Sequence, residues 1–170
     1  MLKSTKTKGE KMTTCIVLYE RVNLLSFAKV YDLLRRAKTP FDVVAMGEGV
    51  LDEHGFWLGA QVGGESLYGY DNIIIPDGLG ALNARFDDVF LGWIKTAKGA
   101  RRKIAVNLGS LVLGGAGFLS GKKASLRAGY ANAMSEYAAP CEEAWCDEGD
   151  VLTMLDTPEA WERLAGTLDG

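Results

Sequence analysis

Continuous apolar runs alternate along this chain with stretches in which apolar residues recur every three or four positions. The apolar runs occupy residues 15–19, 41–46, 72–76 and 103–106. Runs of this kind are typical of strands that are buried on both faces of a sheet. Asn23 is placed to cap a helix over residues 24–37, between the first two runs. Strands that alternate with helices predict a mainly parallel sheet covered by helices on both faces.

Two further helices are predicted over residues 86–98 and 109–119. Gly114, Gly115 and Gly117 each lower the intrinsic stability of the 109–119 helix, so we interpret them as places where this helix approaches the sheet closely. The positions expected to face the core are Leu25, Ala28, Leu33 and Leu34 in the 24–37 helix, and Phe86, Val89, Phe90, Trp93 and Ile94 in the 86–98 helix.

The remaining segments carry weaker patterns. The glycine-rich residues 47–70 predict a β-hairpin or edge strands, and residues 126–138 are interpreted as helical or irregular. Residues 144–146 and 151–153 predict a second hairpin. Thr157 and Pro158 open a final helix that extends to residue 164. The four tryptophans are interpreted as packing residues: Trp57, Trp93, Trp145 and Trp161.

The stretch over residues 103–125 is the most suggestive of chemistry. An apolar strand ends at Asn107, and the chain turns through Leu108 and Gly109 into a helix rich in glycine and alanine. A sharp strand-to-helix turn exposes one side chain above a sheet, and N–H groups at the start of a helix stabilise an anion. Asn107 holds the exposed position, but an amide is a poor nucleophile. The architecture predicts a pocket, while this residue argues against covalent catalysis.

Composition limits the number of domains and the range of partners. The chain has 170 residues, of which 48% are hydrophobic and 24% are charged, which suffices for one buried core. We expect residues 1–12 to form a disordered polar extension and residues 13–170 a single domain, with Met12 as an alternative start to Met1. The net charge of -3 comes from interspersed charges of both signs, which disfavours nucleic acid as a partner. Because the sequence has no transmembrane-length apolar run and no secretory signal, we expect a cytoplasmic protein without membrane contact.

The cysteines and the single histidine do not form a reactive pattern. Cys15, Cys141 and Cys146 have neither disulfide nor metal-ligand spacing, so we expect reduced thiols, with Cys15 as a core residue. His54 lies in a turn and is interpreted as a solvated side chain. We expect no bound metal and no cofactor.

Three segments resemble the ThiJ/PfpI superfamily. They are VLYERVNLLSFAKVYDLL over residues 17–34, IIIPDGLGAL over residues 73–82, and AVNLGSLVLGGAGFLSGKKAS over residues 105–125. The last is similar to the family's cysteine-bearing elbow, in particular to the branch of isocyanide hydratases and of the ligand-sensing halves of AraC-type regulators. The resemblance implies a flavodoxin-like three-layer α/β sandwich, akin to class I glutamine amidotransferases, and a homodimer.

The same resemblance places the family's reactive positions on unreactive residues. The acidic residue of the first helix falls on Ser26, the cysteine on Asn107, and the histidine on Arg127. Thiolate chemistry needs both a thiol and a group that tunes its pKa. We therefore expect a pseudoenzyme in which the usual catalytic assignment does not transfer. Asn107 also tolerates a positive φ, so it suits a strained elbow whether or not it touches a ligand.

Two functional hypotheses follow. In the first, a non-catalytic domain binds a small molecule or a protein partner at a remnant pocket; its ligand-binding residues would be Ser26, Gly78, Asn107, Leu108 and Arg127. In the second, a hydratase or lyase uses Glu20 or Asp77 at the carboxyl ends of strands. Structural explanations remain open for both acids, since Glu20 can pair with Arg21 or Lys29 and Asp77 can cap a turn. No helix-turn-helix follows the domain, which disfavours a DNA-binding regulator.

Overall fold

A seven-stranded sheet forms the centre of the protein, in a computed structural model that describes residues 13–125 and 127–168. The strands are β1 (Thr14–Val17), β2 (Phe41–Ala45), β3 (Gly49–Leu51), β4 (Trp57–Gly59), β5 (Val62–Gly63), β6 (Asn72–Ile75), β7 (Arg102–Val106), β8 (Lys123–Ser125), β9 (Ala139–Cys141), β10 (Trp145–Asp147) and β11 (Val151–Met154). The helices are α1 (Leu24–Arg36), α2 (Ala81–Ala84), α3 (Asp88–Lys95), α4 (Gly109–Gly115), α5 (Ala131–Met134) and α6 (Pro158–Leu168). The predicted extension over residues 1–12 lies outside the described residues.

The strand order of the central sheet is β10-β11-β7-β6-β1-β2-β5. Every neighbouring pair is parallel except β10 with β11. Strands β1 and β6 are buried throughout, as their unbroken apolar runs predicted. The mainly parallel, flavodoxin-like sheet is therefore confirmed. None of the described helices is both long and apolar enough to cross a membrane.

The helices cover both faces of this sheet. The connection through α1 carries the chain from β1 to β2, whereas the connection through α2 and α3 carries it from β6 to β7 in the opposite direction. Since such crossovers are right-handed, these two connections lie on opposite faces. Helix α6 packs on α1, and α4 packs on α2. The direction of winding reverses between β1 and β6, and open α/β sheets place ligands at such a switch point.

Some of the predicted core faces are wrong. Asp87 caps α3, because its Oδ1 accepts the N–H groups of Val89 and Phe90 at 3.1 Å. The helix therefore begins later than predicted, and Phe86 and Val89 are 60% and 72% exposed. Phe90 and Ile94 are buried as expected. Leu25 and Ala28, which were predicted to face the core, are also exposed. So is Trp57, which was interpreted as a packing residue.

Helix α4 is shorter than the predicted 109–119, since it ends at Gly115 and Gly117 has a φ of 85°. The expected approach of its glycines to the sheet is also wrong. A Cβ at Gly114 would meet the ring of Tyr137, and one at Gly115 would meet the backbone of Arg85. Gly109 is the residue of this helix that approaches the sheet, at the end of β6.

The carboxyl-terminal half contains one element that the sequence did not predict. Strands β8 and β9 pair in parallel as a separate two-stranded sheet. The predicted hairpin of β10 and β11 is confirmed, and so is the hairpin of β3 and β4. In the uncertain segment 126–138, α5 is a single helical turn, and Leu126 lies outside the described residues.

We predict that Gly109→Ala destabilises the fold. Its Cβ would lie 2.5 Å from the carbonyl oxygen of Ile75 and 2.7 Å from that of Pro76. Because both contacts are backbone atoms, the overlap needs a main-chain shift, and we expect a loss of about 1–3 kcal/mol in the free energy of unfolding. Urea denaturation measures this loss.

The matched control is Gly92→Ala in α3. A Cβ at Gly92 meets no atom within 4 Å, so the substitution should be neutral or should stabilise by up to about 1 kcal/mol through helix propensity. Equal losses for the two variants would show that the contact between Gly109 and the end of β6 does not limit packing there.

Candidate functional site

Asn107 forms the predicted elbow between β7 and α4. Its φ is 48°, in the left-handed region that Asn tolerates better than most residues. Its N–H donates to the carbonyl of Met154 at 2.8 Å, which holds the turn against the end of β11. The sharp turn is therefore real, and its conformation alone is a sufficient reason for Asn at this position.

Both ends of the Asn107 side chain already have partners. Nδ2 donates to Asp77 Oδ2 at 3.2 Å, and Oδ1 accepts the N–H of Asp156 at 3.2 Å. The amide thus connects the loops that follow β6 and β11. It acts as a bridge within the fold, and only its second amide hydrogen and the second lone pair of Oδ1 remain available to a ligand.

Asp77 lies at the centre of the cluster. Its carboxylate accepts the N–H of Leu108 at 3.0 Å through Oδ1, and Arg127 Nη1 lies 3.4 Å from Oδ2. Its own N–H donates to Ser26 Oγ at 2.9 Å. The residue is only 8% exposed, so these contacts form in a largely desolvated setting. Asp77 therefore caps the elbow, and not its own turn, which was the structural alternative.

The structure brings the predicted pocket residues together around a carboxylate of the same chain. Ser26, Asn107, Leu108 and Arg127 all contact Asp77. Arg127 is accordingly paired with Asp77, although its side chain is 40% exposed. The N–H of Leu108, which was expected to face a ligand, is already bonded to a carboxylate of the same chain. An anion from solution would have to displace Asp77 to reach this donor.

Gly78 is required for packing beside this cluster. A Cβ at this position would lie 2.7 Å from Cα of Val22 and 2.8 Å from the hydroxyl oxygen of Tyr19. The Tyr19 hydroxyl donates to the carbonyl of Pro76 at 2.6 Å. Burial raises the pKa of Tyr19 well above its ordinary value, and the carboxylates of Asp77 and Glu53 raise it further. Tyr19 therefore remains a protonated hydrogen-bond donor that fixes the loop before Asp77.

Glu20 lies apart from the Asp77 cluster. It is exposed, and its Oε2 accepts the N–H of Leu51 at the long distance of 3.4 Å. Neither proposed surface partner holds it, since Lys29 pairs with Asp156 and no ion pair with Arg21 exists among the described residues. No hydrogen bond joins Glu20 to Asp77 in the described part of the chain, so the two acids do not form a catalytic pair there.

Asp156 is a site residue that the sequence analysis missed. Lys29 Nζ donates to its two oxygens at 2.9 and 3.1 Å, and Trp161 Nε1 donates to Oδ1 at 2.6 Å. Burial acts to raise the pKa of Asp156, but the hydrogen bonds from Trp161 and Lys29 outweigh it and leave this pKa lowered. Its place after the buried strand β11, level with Asn107, was the available signal.

A cavity of about 300 Å³ opens beside the switch point. It lies among the loop after β1, the β2–β3 connection and the α2–α3 segment, and Asn107 does not line it. No sequence pattern predicts this cavity, because its walls come from short loops without a motif. Its lining residues are Leu18, Tyr19, Glu20, Arg21, Met46, Gly47, Gly49, Val50, Gly80, Asn83, Ala84, Asp87 and Phe90.

The thiols and the histidine lie outside both places. Cys15 is fully buried in β1, as predicted, and none of the three cysteines forms a disulfide within the described part of the chain. Burial raises the pKa of Cys146 to about 12, with a further contribution from Cys141. Thiolate formation at Cys146 is therefore suppressed at neutral pH. His54 is exposed in the hairpin turn, as expected.

The fold and the elbow define an open α/β sandwich with a strand-to-helix turn beside its switch point. Among solved structures, DJ-1beta of Drosophila melanogaster is similar over 95% of this chain and 92% of its own, at 18% identity and a TM-score of 0.79. A ThiJ/PfpI family protein from Pseudomonas syringae is similar over 97% of this chain and 76% of its own, at 17% identity and a TM-score of 0.81. The chain thus has the fold of the DJ-1/ThiJ/PfpI proteins.

A third similar structure is larger. It is a protein from Anabaena variabilis with a DJ-1/ThiJ/PfpI-like and a ferritin-like domain, at 19% identity and a TM-score of 0.76. The match covers 93% of this chain and 47% of that protein, so this chain spans about half of its length. No family model matches the sequence, and no curated protein matches it.

We predict that the contribution of Asp156 to stability depends on pH. Because its pKa is lowered in the folded state, the carboxylate stabilises the fold above its unfolded pKa of about 3.9, and this contribution disappears as the pH falls through the folded pKa. The side chain is 40% exposed, so Asp156→Asn should cost no more than about 1 kcal/mol at pH 7.

Urea denaturation of the wild type and of Asp156→Asn at pH 7 and at pH 3 tests this dependence. The difference between the two proteins should shrink at the lower pH. Asp32→Asn is the control, since that carboxylate belongs to an exposed pair with Arg36 and should contribute less. A difference that is unchanged at pH 3 would contradict the ionic role of Asp156.

Proposed function

We propose that this protein is a non-catalytic domain of the DJ-1/ThiJ/PfpI fold that binds a small molecule or a protein partner. The observation that carries this proposal is the position of the Asp77 carboxylate. It accepts the N–H of Leu108 at 3.0 Å, at the elbow where an enzyme of the expected kind would stabilise a substrate oxyanion. A negative charge that develops on a substrate there would be repelled by the fixed carboxylate of Asp77.

The amide of Asn107 supports the same conclusion. It lacks nucleophilic character, and its two ends join Asp77 to the backbone of Asp156. The pairing of Lys29 with Asp156 holds the loop on the far side of the elbow. We infer that the elbow has become a structural junction.

The alternative of a hydratase or lyase finds less support. A general base needs an accessible lone pair within hydrogen-bond reach of the substrate. The oxygens of Asp77 already accept Leu108 N–H and Asn107 Nδ2 and lie close to Arg127. Glu20 is accessible but has no second catalytic group beside it at hydrogen-bond distance among the described residues.

We predict no turnover of isocyanides, glyoxals or amides above the uncatalysed rate. Substrate consumption is followed with the wild type, Glu20→Gln and Asp77→Asn, with circular dichroism as the check that each variant is folded. Cys15→Ser is the control for chemistry at a buried thiol. A rate that survives Cys15→Ser and is lost in Glu20→Gln or Asp77→Asn would establish the enzyme alternative and contradict the proposal.

We also propose that the chain forms a homodimer through an apolar patch at the β3–β4 hairpin. Leu51 and Trp57 are register partners in this hairpin, and both are exposed together with Phe56. The amino-terminal end of α1 lies beside the hairpin turn, because Asn23 Nδ2 donates to Glu53 at 2.6 Å. Exposed aromatic residues clustered in this way mark association surfaces.

The dimer is tested by sedimentation equilibrium. We expect the wild type to have twice the mass of the chain, and Phe56→Ser combined with Trp57→Ser to shift it to the monomer without loss of secondary structure. The matched control is Phe86→Ser, which removes an exposed phenylalanine outside the hairpin. A monomeric wild type, or a double variant that remains dimeric, would contradict this interface.

A further inference from the structure

The cavity at the carboxyl ends of β1 and β2 combines a buried apolar wall with an exposed polar rim. Leu18, Val50 and Phe90 line it and are almost fully buried. Its volume of about 300 Å³ is at the lower end of the range for small-molecule sites. It lies beside the switch point of the sheet, where open α/β folds bind ligands. A compact apolar group therefore fits the wall.

Two carboxylates belong to the lining, and each has unused acceptor capacity. Asp87 accepts the N–H groups of Val89 and Phe90 through Oδ1 alone, and its Oδ2 has no hydrogen-bond donor among the described residues. The contact of Glu20 with Leu51 is long, at 3.4 Å. The rim can therefore accept hydrogen bonds from a cationic group.

A positive charge belongs to the same rim. Arg21 lines the cavity and forms no ion pair with a described residue, its neighbour Glu20 included. Its backbone has a φ of 64°, and it is held there because its N–H donates to Leu51 and its carbonyl accepts the N–H of Gly80. Strained conformations of non-glycine residues concentrate at ligand sites. The cavity is therefore lined by carboxylates and a guanidinium group that form no ion pair with one another.

We propose that this cavity binds an α-amino acid with an apolar side chain. The ammonium group lies against the carboxylates of Glu20 and Asp87, the ligand carboxylate pairs with Arg21, and the side chain packs on the buried wall. This inference rests on the proposed binding function and places the ligand in this cavity and not at the Asp77 cluster, where the elbow donors are occupied.

Isothermal titration calorimetry and saturation-transfer NMR with L-phenylalanine test the ligand class. The comparison ligands are phenethylamine, which has only the positive charge, and 3-phenylpropionate, which has only the negative charge. We expect L-phenylalanine to bind one to one and each comparison ligand to bind at least about tenfold more weakly, since each lacks one charged contact.

Variants locate the binding. Ala84→Phe fills the cavity from α2 and should abolish binding, and Asn83→Trp, from an exposed position of the same lining, is a second variant should the first fail to fold. Ala165→Phe is the matched control, because Ala165 lines a separate cavity between α1 and α6 and its substitution should leave the affinity unchanged. Arg21→Gln should weaken L-phenylalanine about tenfold and leave phenethylamine unaffected.

Equal affinity for L-phenylalanine and either comparison ligand overturns the inference, and so does binding that persists in folded Ala84→Phe or Asn83→Trp. Absence of binding by L-phenylalanine overturns it as well. The proposed non-catalytic function would fail by a different result, namely turnover of isocyanides, glyoxals or amides. The two failures are therefore distinguishable.

Discussion

The hydrogen bond from the Leu108 N–H to the Asp77 carboxylate joins the ends of two central strands. Leu108 follows β7 and Asp77 follows β6, and a buried carboxylate needs donors of this kind to offset the loss of water. Arg127 and Asn107 contribute further contacts to the same group. The left-handed elbow, the close approach of Gly109 to β6 and the fixed loop before α2 all surround this one carboxylate.

That constraint divides the carboxyl edge of the sheet into two regions with different properties. At the elbow, Asn107 bonds to the Asp77 carboxylate and to the backbone N–H of Asp156, whose own carboxylate pairs with Lys29. On the α2 and α3 face, the loop groups of Glu20, Arg21 and Asp87 surround a cavity and keep unused bonding capacity. Polar groups whose hydrogen bonds are satisfied within the protein make a fold rigid. Polar groups with unused hydrogen-bonding capacity beside an apolar wall offer a ligand the largest gain in binding free energy. We therefore propose that the elbow is structural and that the cavity binds the ligand.

Periodicity predicted the sheet well because its inner strands are apolar on both faces, as in the runs that became β1 and β6. It failed where a cap decided the outcome: Asp87 starts α3 late enough to leave Phe86 and Val89 exposed. It also failed for β8 and β9, because the three-residue segments Lys123–Ser125 and Ala139–Cys141 are too short to carry an apolar or alternating pattern. The apolar composition of a buried strand can be read from the strand's own residues, whereas the first residue of a helix can be set by a single capping side chain.

The candidate site was likewise predictable only where its residues are consecutive in sequence. The elbow at Asn107 was readable because a strand, a turn and a helix are consecutive in sequence. The contact of Ser26 and Arg127 with Asp77 was not, since Ser26 in α1 and Arg127 each lie about 50 residues from Asp77 in the sequence. Asp156 and the cavity were missed for the same reason, because each is assembled from separate loops by the winding of the sheet.

The central claim is that Asp77 occupies an anion site of its own protein, and chemical rescue measures this most directly. Removing the carboxylate in Asp77→Ala leaves Leu108 N–H and Arg127 unpaired and should cost about 2 kcal/mol or more in the free energy of unfolding. Formate, compared with chloride at equal ionic strength, should restore stability to Asp77→Ala in a saturable manner and leave the wild type unchanged. Equal effects of formate on both proteins would contradict the claim.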